Sequence, residues 1–253
     1  MSEQRSAASD KGINPLGHAS PDRYVQGAWP RALLSRMAHW VSEIHSQGEL
    51  LDIGCGEGAL LHAVGMEGIG VDLNSERLIL AAERGLSVAL ANGEQLPFAD
   101  ASFETVVSME VLEHVPDMNG MIREIKRVLK PGGHWLISVP SVTLRSWYEM
   151  SREHRPYYCD ADEHYREFSS ANLPWFEHRF VSTKEFEKQL QAGGFGLQYR
   201  DGVRYLFPQW FSRFPALQRM IESERSDRLW RQLPGVRKFP YWMIRVLRSM
   251  DKE

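Results

Sequence analysis

The run Leu50-Leu51-Asp52-Ile53-Gly54-Cys55-Gly56-Glu57-Gly58 constrains this chain more than any other. A short apolar, strand-like segment stops on three glycines spaced two apart. A strand that halts on such a cluster turns sharply, because glycine takes left-handed backbone conformations at little steric cost. A helix expected from near Glu57 leaves the turn with its unpaired N–H groups facing the bend. Strand, glycine turn and helix in this order build α/β folds and argue against an all-helical or all-β chain.

The text on either side repeats that alternation. Pro30 opens an amphipathic helix with Leu33, Leu34, Met37, Trp40, Val41 and Ile44 at spacings of three and four, ending near Gly48. Strands are predicted at 49–53, 68–72, 86–90, 103–109, 134–139 and 195–199. Helices are predicted at 59–64, 75–84, 117–130 and 183–192, the second capped by Ser75 with Leu78, Ile79 and Ala82 inward. Lys130-Pro131-Gly132-Gly133 separates the helix from the fifth strand. Buried-type strands alternating with helices imply a parallel, doubly wound sheet. At 253 residues with 43% apolar side chains the chain can bury one such core plus an appendage.

Charge and cysteine usage narrow the class. The net charge of −3 does not mark a nucleic-acid binder, although residues 203–253 carry 11 Lys and Arg against 5 Asp and Glu. Cys55 and Cys159 are too few and too far apart for a disulfide framework or a zinc knuckle. Residues 1–20 read as a loose polar arm without the basic-then-apolar pattern of a signal peptide, and no apolar stretch nears spanning length. A cytoplasmic protein is the expectation.

Asp72 follows Asp52 by twenty residues, at the end of the second predicted strand. A carboxylate there can accept both hydroxyl protons of a ribose across the crevice. The spacing Gly54-x-Gly56-x-Gly58 is not the G-x-G-x-x-G of dinucleotide folds, and Glu57 puts negative charge where a pyrophosphate would lie. A ligand with an ammonium group and a ribose but no phosphate fits better, and S-adenosylmethionine is one.

These residues resemble the class I S-adenosylmethionine-dependent methyltransferases over roughly residues 50–199. LLDIGCGEG is similar to that family's first motif and VDLN (71–74) to its ribose-binding acid. ANGEQLPFADASFETVVSMEVLEHVPD (91–117) resembles the adenine loop and fourth strand, and LKPGG (129–133) the turn before the fifth strand. The resemblance implies a Rossmann-like, mostly parallel seven-stranded sheet with an aromatic lid insert and a helical C-terminal cap. It implies S-adenosylmethionine as cofactor, with Asp52, Gly54 and Gly56 flanking its methionine part and Cys55 and Met109 also among the residues that bind it. Asp72 would hold the ribose, Leu73 would pack on adenine, and Asn92, Gly93 and Glu94 would surround the adenine edge. Relatives often have Asp where this chain has Asn92, whose amide carbonyl can still accept from the adenine amino group.

Met109-Glu110-Val111-Leu112-Glu113-His114 admits two readings. In one, Glu113 and His114 order the loop before Pro116. In the other, Glu110, Glu113 and His114 share a helical face at offsets of three and four, two carboxylates and an imidazole suited to a divalent metal ion. Together with His178 this segment resembles ubiquinone-type O-methyltransferases and small-RNA 2′-O-methyltransferases that use a metal. Without metal, His114 or His178 is the candidate catalytic base on a phenol or sugar hydroxyl.

Residues 141–180 hold nine of the 27 aromatics and three of the nine histidines, and are read as a lid over the methyl end of the cofactor. His154 and His164 read as solvated or charge-paired rather than as ligands. The domains expected are an arm over 1–20, the cofactor-binding domain over 21–202 with its lid at 141–180, and a basic aromatic cap over 203–253. The cap's Arg204, Arg213, Arg219, Arg225, Arg228, Arg231, Arg237, Lys238, Arg245 and Arg248, with Trp210, Phe211, Phe214, Trp230, Tyr241 and Trp242, suit either a packed cap or a peripheral surface at the inner face of a membrane. The partners expected are a small-molecule or lipid-linked acceptor, with nucleic acid disfavoured, in a monomer or homodimer. The activity expected is O-methylation of a small, partly hydrophobic acceptor such as a quinone-type phenol, lipid-linked sugar or secondary metabolite. N-methylation of a small amine and a cofactor-binding module without turnover are the alternatives.

Overall fold

The computed structural model describes residues 28–140, 183–205 and 240–250. The arm over 1–20, the lid over 141–180 with His154, His164 and His178, Cys159, and most of the basic cap lie outside the described residues. In chain order the elements are α1 (Ala28–Ile44), β1 (Leu50–Ile53), α2 (Ala59–Val64), β2 (Ile69–Asp72), α3 (Ser75–Glu83), β3 (Ser87–Leu90) and β4 (Phe103–Met109). A short 3-10 turn (Leu112–His114), α4 (Met118–Val128), β5 (Leu129–Pro140), α5 (Thr183–Ala192), β6 (Phe195–Tyr205) and β7 (Pro240–Ser249) follow.

The seven strands form one sheet in the order β3-β2-β1-β4-β5-β7-β6. From β3 to β5 all pairings are parallel, while β7 runs antiparallel to both β5 and β6. The order reverses between β1 and β4. The crevice beyond the carboxyl ends of these two strands is therefore where an α/β sheet of this kind takes its ligand.

Side chains alternate across the pleat and sort into two cores. Leu51, Ile53, Val106, Trp135, Ile137 and Leu247 meet Met121, Ile122, Ile125 and Val128 of α4 and Phe186 and Leu190 of α5. On the opposite face Leu50, Val107, Leu136, Ile244 and Val246 meet Leu33, Met37 and Val41 of α1 and Leu60 and Leu61 of α2. Burying a residue the size of Leu or Phe contributes about 1.5–3 kcal/mol, so these two layers hold the strand ends at the crevice.

Several expectations need correction. Pro240–Ser249, taken from sequence as part of a helical cap, is a strand inside the sheet, and Ile244, Arg245, Val246 and Leu247 on it are buried. Arg245 therefore offers no charge to a membrane: its guanidinium donates to Glu187 Oε1 at 2.8 Å. The cap of α3 is Asn74, whose side chain accepts from the Arg77 amide at 3.1 Å, and Ser75 is its first helical residue. Along the helix Leu78 is buried as expected, but Ala81 and not Ala82 joins it, and Ile79 faces out. β5 also begins earlier than expected. Leu129 already pairs with Phe103, and the Lys130–Gly133 segment is a bulge before pairing resumes at Thr105 and His134.

Candidate functional site

The glycine turn joins β1 to α2, and all three of its glycines have positive φ, at 70°, 54° and 75° for Gly54, Gly56 and Gly58. Their missing side chains serve different ends. A Cβ on Gly54 would come within 2.3 Å of Val111, and one on Gly58 within 2.0 Å of Leu86. Those two positions are filled by the protein's own packing. At Gly56 a Cβ would meet nothing closer than Arg77 at 3.7 Å, so the room for a ligand is at Gly56.

Asp72 ends β2 directly beside this turn. Its Oδ2 accepts the Gly56 amide at 2.8 Å and its Oδ1 accepts the Asn74 amide at 2.8 Å. Each oxygen keeps lone-pair capacity for a further donor, which suits the paired hydroxyls of a ribose. Asp52 lies one strand over, between Gly70 and Val107 in register, and is buried. Burial, with the charge of Asp72 adding to it, pushes its carboxyl up to about 8. A cation placed beside it would favour the ionised form, so this carboxyl suits an ammonium ligand. Burial pushes the Cys55 thiol up as well, which leaves it a packing residue behind the turn rather than a nucleophile.

The argument from Glu57 does not survive. Arg84, which caps the end of α3, donates to the Glu57 carbonyl at 2.6 Å, and its other terminal nitrogen lies 3.5 Å from the Glu57 carboxylate. The turn's negative charge is drawn to that arginine and does not decide against phosphate. What disfavours a phosphate there is the Asp72 carboxylate beside Gly56.

Leu73, next to Asp72, is 51% exposed, an apolar side chain held at the rim. Across from it Asn92 is exposed and its Oδ1 already accepts the Glu94 amide at 3.0 Å. Gly93 is buried against Ile53 and Met121, where a Cβ would lie 3.0 and 3.4 Å from their side chains. The Glu94 carboxylate accepts the Asp117 amide at 2.6 Å and so ties this loop to the start of α4.

The segment after β4 departs from its expected form. Glu110 does not begin a helical turn: it has a φ of 57°, uncommon for a non-glycine residue, and only Leu112–His114 closes a 3-10 turn. Ser138 on β5 fixes this kink, donating from its hydroxyl to Glu110 Oε1 at 2.9 Å and accepting the Glu110 amide at its carbonyl at 3.1 Å. Glu113 is 1% exposed, and neither carboxylate oxygen has a hydrogen-bond partner. Burial, with the Glu110 charge second, holds its carboxyl well above the usual range. His114 Nε2 lies 3.8 Å from Glu113 Oε1. Met109 ends β4, half-buried at the crevice.

No three His, Cys, Asp or Glu side chains among the described residues converge as a metal site. The kink at Glu110 removes the shared helical face that Glu110, Glu113 and His114 needed, and His178 lies outside the described residues.

Parallel strands in this order, reversed at β7, with a glycine turn and an acid at the end of β2 beside the switch point, define a class I methyltransferase fold. Residues 51–137 match the family model of a methyltransferase domain. An uncharacterized protein of Methanocaldococcus jannaschii is 33% identical over 151 residues, 59% of this chain and 65% of that one. A ubiquinone biosynthesis O-methyltransferase of Idiomarina loihiensis is 29% identical over 172 residues, 58% of this chain and 69% of its own. The match spans under half the length of several further proteins of that name. Among solved structures, a SAM-dependent methyltransferase of Methanosarcina mazei superposes with a TM-score of 0.57 at 20% identity, over 84% of this chain and 98% of that one. Over residues 51–137 the chain is similar to the methyltransferase domain of S-adenosylmethionine-dependent enzymes, and its fold is theirs.

Sequence reasoning missed Asn74, Ser138, Val111 and Arg84. Asn74 carried a signal, since Asn before a helix is a favoured cap. The other three act through contacts across 27 to 57 positions of chain, which no local pattern encodes.

Proposed function

We propose that the chain transfers the methyl group of S-adenosylmethionine to an oxygen of a small, partly hydrophobic acceptor: a quinone-type phenol, a lipid-linked sugar or a secondary metabolite. The observation that carries this reading is the Asp72 carboxylate, held by the amides of Gly56 and Asn74 beside the one turn glycine with open space. The residues present fit the cofactor. Asp72 would take the ribose hydroxyls, Asp52 the ammonium, Leu73 and the Asn92–Glu94 loop the adenine, with Cys55 and Met109 closing the methionine end. When bound, the cofactor supplies a sulfonium-activated methyl group.

The chain's own contribution is alignment. Holding an acceptor oxygen in line with the methyl group replaces a bimolecular encounter with a near-attack geometry. The acceptor belongs beyond the carboxyl ends of β4 and β5, where Glu110 and His114 lie. His114 is the described candidate for hydrogen-bonding its hydroxyl, and His178 with the 141–180 lid would complete the pocket. The described donor set does not form a metal site, so no step is routed through a metal ion. Oxygen rather than nitrogen is supported by the similarity to the Idiomarina O-methyltransferase. No described helix is long and apolar enough to cross a membrane. A peripheral membrane role therefore rests on the cations of residues 204–238.

Incubating the full chain with methyl-labelled S-adenosylmethionine and fractionated extract tests the reading. The expected result is S-adenosylhomocysteine together with label on an acceptor oxygen. Label on nitrogen would move the chain to amine methylation. Tight cofactor uptake without transfer to phenols, sugars or amines would make it a binding module.

A further inference from the structure

The loop on the adenine side has few ties within itself past Gln95, the Ser102 hydroxyl to the Ala99 carbonyl at 2.6 Å among them. Residues 96–101 run without regular structure between the Asn92–Glu94 turn and β4, and Ala101 has a φ of 53°. One side chain from α4 gathers it. Arg127 donates from Nη1 to the Phe98 carbonyl and to Asp100 Oδ1, both at 2.8 Å, and from Nη2 to the Leu96 carbonyl at 3.0 Å. The backbone closes the same knot, since the Ala101 amide donates to the Arg127 carbonyl at 2.9 Å.

Glu124, one turn earlier, sets the arginine. Its carboxylate accepts Nε at 2.9 Å and Nη2 at 2.8 Å, and it accepts the Leu96 amide at 2.9 Å. A planar guanidinium can meet carbonyls and a carboxylate at once, which a lysine ammonium on a flexible stem does not reproduce. With Glu94 tied to the Asp117 amide at the head of α4, the loop is fastened along the length of this helix.

We propose that Arg127, oriented by Glu124, is a positioning residue for nucleobase recognition. It fixes the 92–101 loop on α4 so that Asn92 and Glu94 stand ready at the adenine edge. Because the loop is ordered before the cofactor arrives, binding pays less conformational entropy. The inference rests on the cofactor reading given above.

Calorimetry on the full chain with S-adenosylhomocysteine and S-inosylhomocysteine, whose base lacks the amino group, tests it. The unaltered chain is expected to prefer the adenosyl ligand at least tenfold. Arg127→Ala is expected to weaken adenosyl binding at least tenfold and to bring the two affinities within about twofold. Loosened packing alone would weaken both ligands alike and leave their ratio standing. Arg127→Lys keeps the charge and the helix and is expected to lose the same preference, which covers the case in which the alanine variant does not fold. Arg123→Ala, an exposed change on the same helix, should alter neither ligand.

Faster amide exchange over 92–101 in ligand-free Arg127→Lys is the accompanying readout. Retention of affinity and preference in the Lys variant would overturn the proposal, as would an unaltered chain that binds both ligands equally. Failure of the unaltered chain to take up S-adenosylhomocysteine at all would remove the cofactor reading, and this inference with it.

Discussion

Two loops meet at the same rim of the sheet and are built in opposite ways. On the cofactor side, the turn around Gly56 and the 92–101 loop have their polar groups tied down. Asp72 accepts two amides, Asn92 and Glu94 accept amides of their own loop and of Asp117, and Arg127 gathers three backbone and side-chain oxygens. On the proposed acceptor side, Glu110 sits in a left-handed conformation and Glu113 is buried with neither oxygen hydrogen-bonded. A site meant for one fixed ligand can be built rigid in advance, whereas strain and unsatisfied polarity concentrate where function requires them. The contrast fits the proposal of a prebuilt cofactor half and an acceptor half that the proposed lid over 141–180 would complete.

The largest effect expected on this comparison comes from Asp72→Ala. It removes the proposed ribose acceptor and the tie between Gly56 and Asn74, and S-adenosylhomocysteine affinity measured by calorimetry should fall at least 100-fold, equivalent to about 2.7 kcal/mol. Unchanged uptake would dissolve the cofactor half as described.

Next come the turn glycines, which separate packing from binding. Gly54→Ala forces a Cβ against Val111 at a positive φ and should cost about 2–3 kcal/mol of stability in urea unfolding. Gly56→Ala meets no such wall and should lose about 1 kcal/mol, while its cofactor affinity falls by more than that of Gly54→Ala in its folded fraction. Equal stability losses would show that the two positions do the same job.

The pH dependence follows from Asp52. Its folded carboxyl keeps its proton to about pH 8, against an ordinary value of 3.8. Between those limits the folded chain binds more protons than the unfolded one, so this group's contribution to stability falls as pH rises through the window. Asp52→Asn should flatten that part of the stability profile in thermal unfolding from pH 4 to 8. The unaltered chain should also release a proton on taking up the ammonium-bearing cofactor near pH 7, read as a buffer-dependent binding enthalpy. The reverse slope would place the raised carboxyl elsewhere.

The smallest effect is expected at Glu110. Asn tolerates the left-handed region better than Glu, so Glu110→Asn should change stability by under about 1 kcal/mol, the relieved backbone offsetting the lost bond from Ser138. A loss of several kcal/mol would mean that the carboxylate holds the loop together.

Much of the fold could be read from residue order. Helices 59–64 and 183–192 and the strand 103–109 were predicted residue for residue, because their apolar period is local and their ends are marked by Gly, Thr or a polar turn. The strand at 240–249 escaped because its tryptophan, tyrosine and arginines look like a surface. Arg245 is buried because Glu187 of α5, 58 positions earlier, accepts its guanidinium together with the Asp201 and Ile244 carbonyls. The face of α3 was misjudged more narrowly: Leu78 is buried as expected, but its partner one turn on is Ala81, at a spacing of three, and not Ala82 at four.

The candidate site divides in the same manner. Asp52, Gly56, Asp72 and Asn92 could be placed by counting, since strand ends and turns put them at one rim whatever the packing. Which glycine stays open could not, because Val111 and Leu86 close the other two from distant segments. Nor could sequence show that Glu57 is drawn to Arg84, that Ser138 bends Glu110, or that Arg127 fastens the loop. Local conformational preference and hydrophobic period are written along the chain, whereas the meeting of two remote side chains depends on how strands are ordered in the sheet, and that order exists only once the chain has folded.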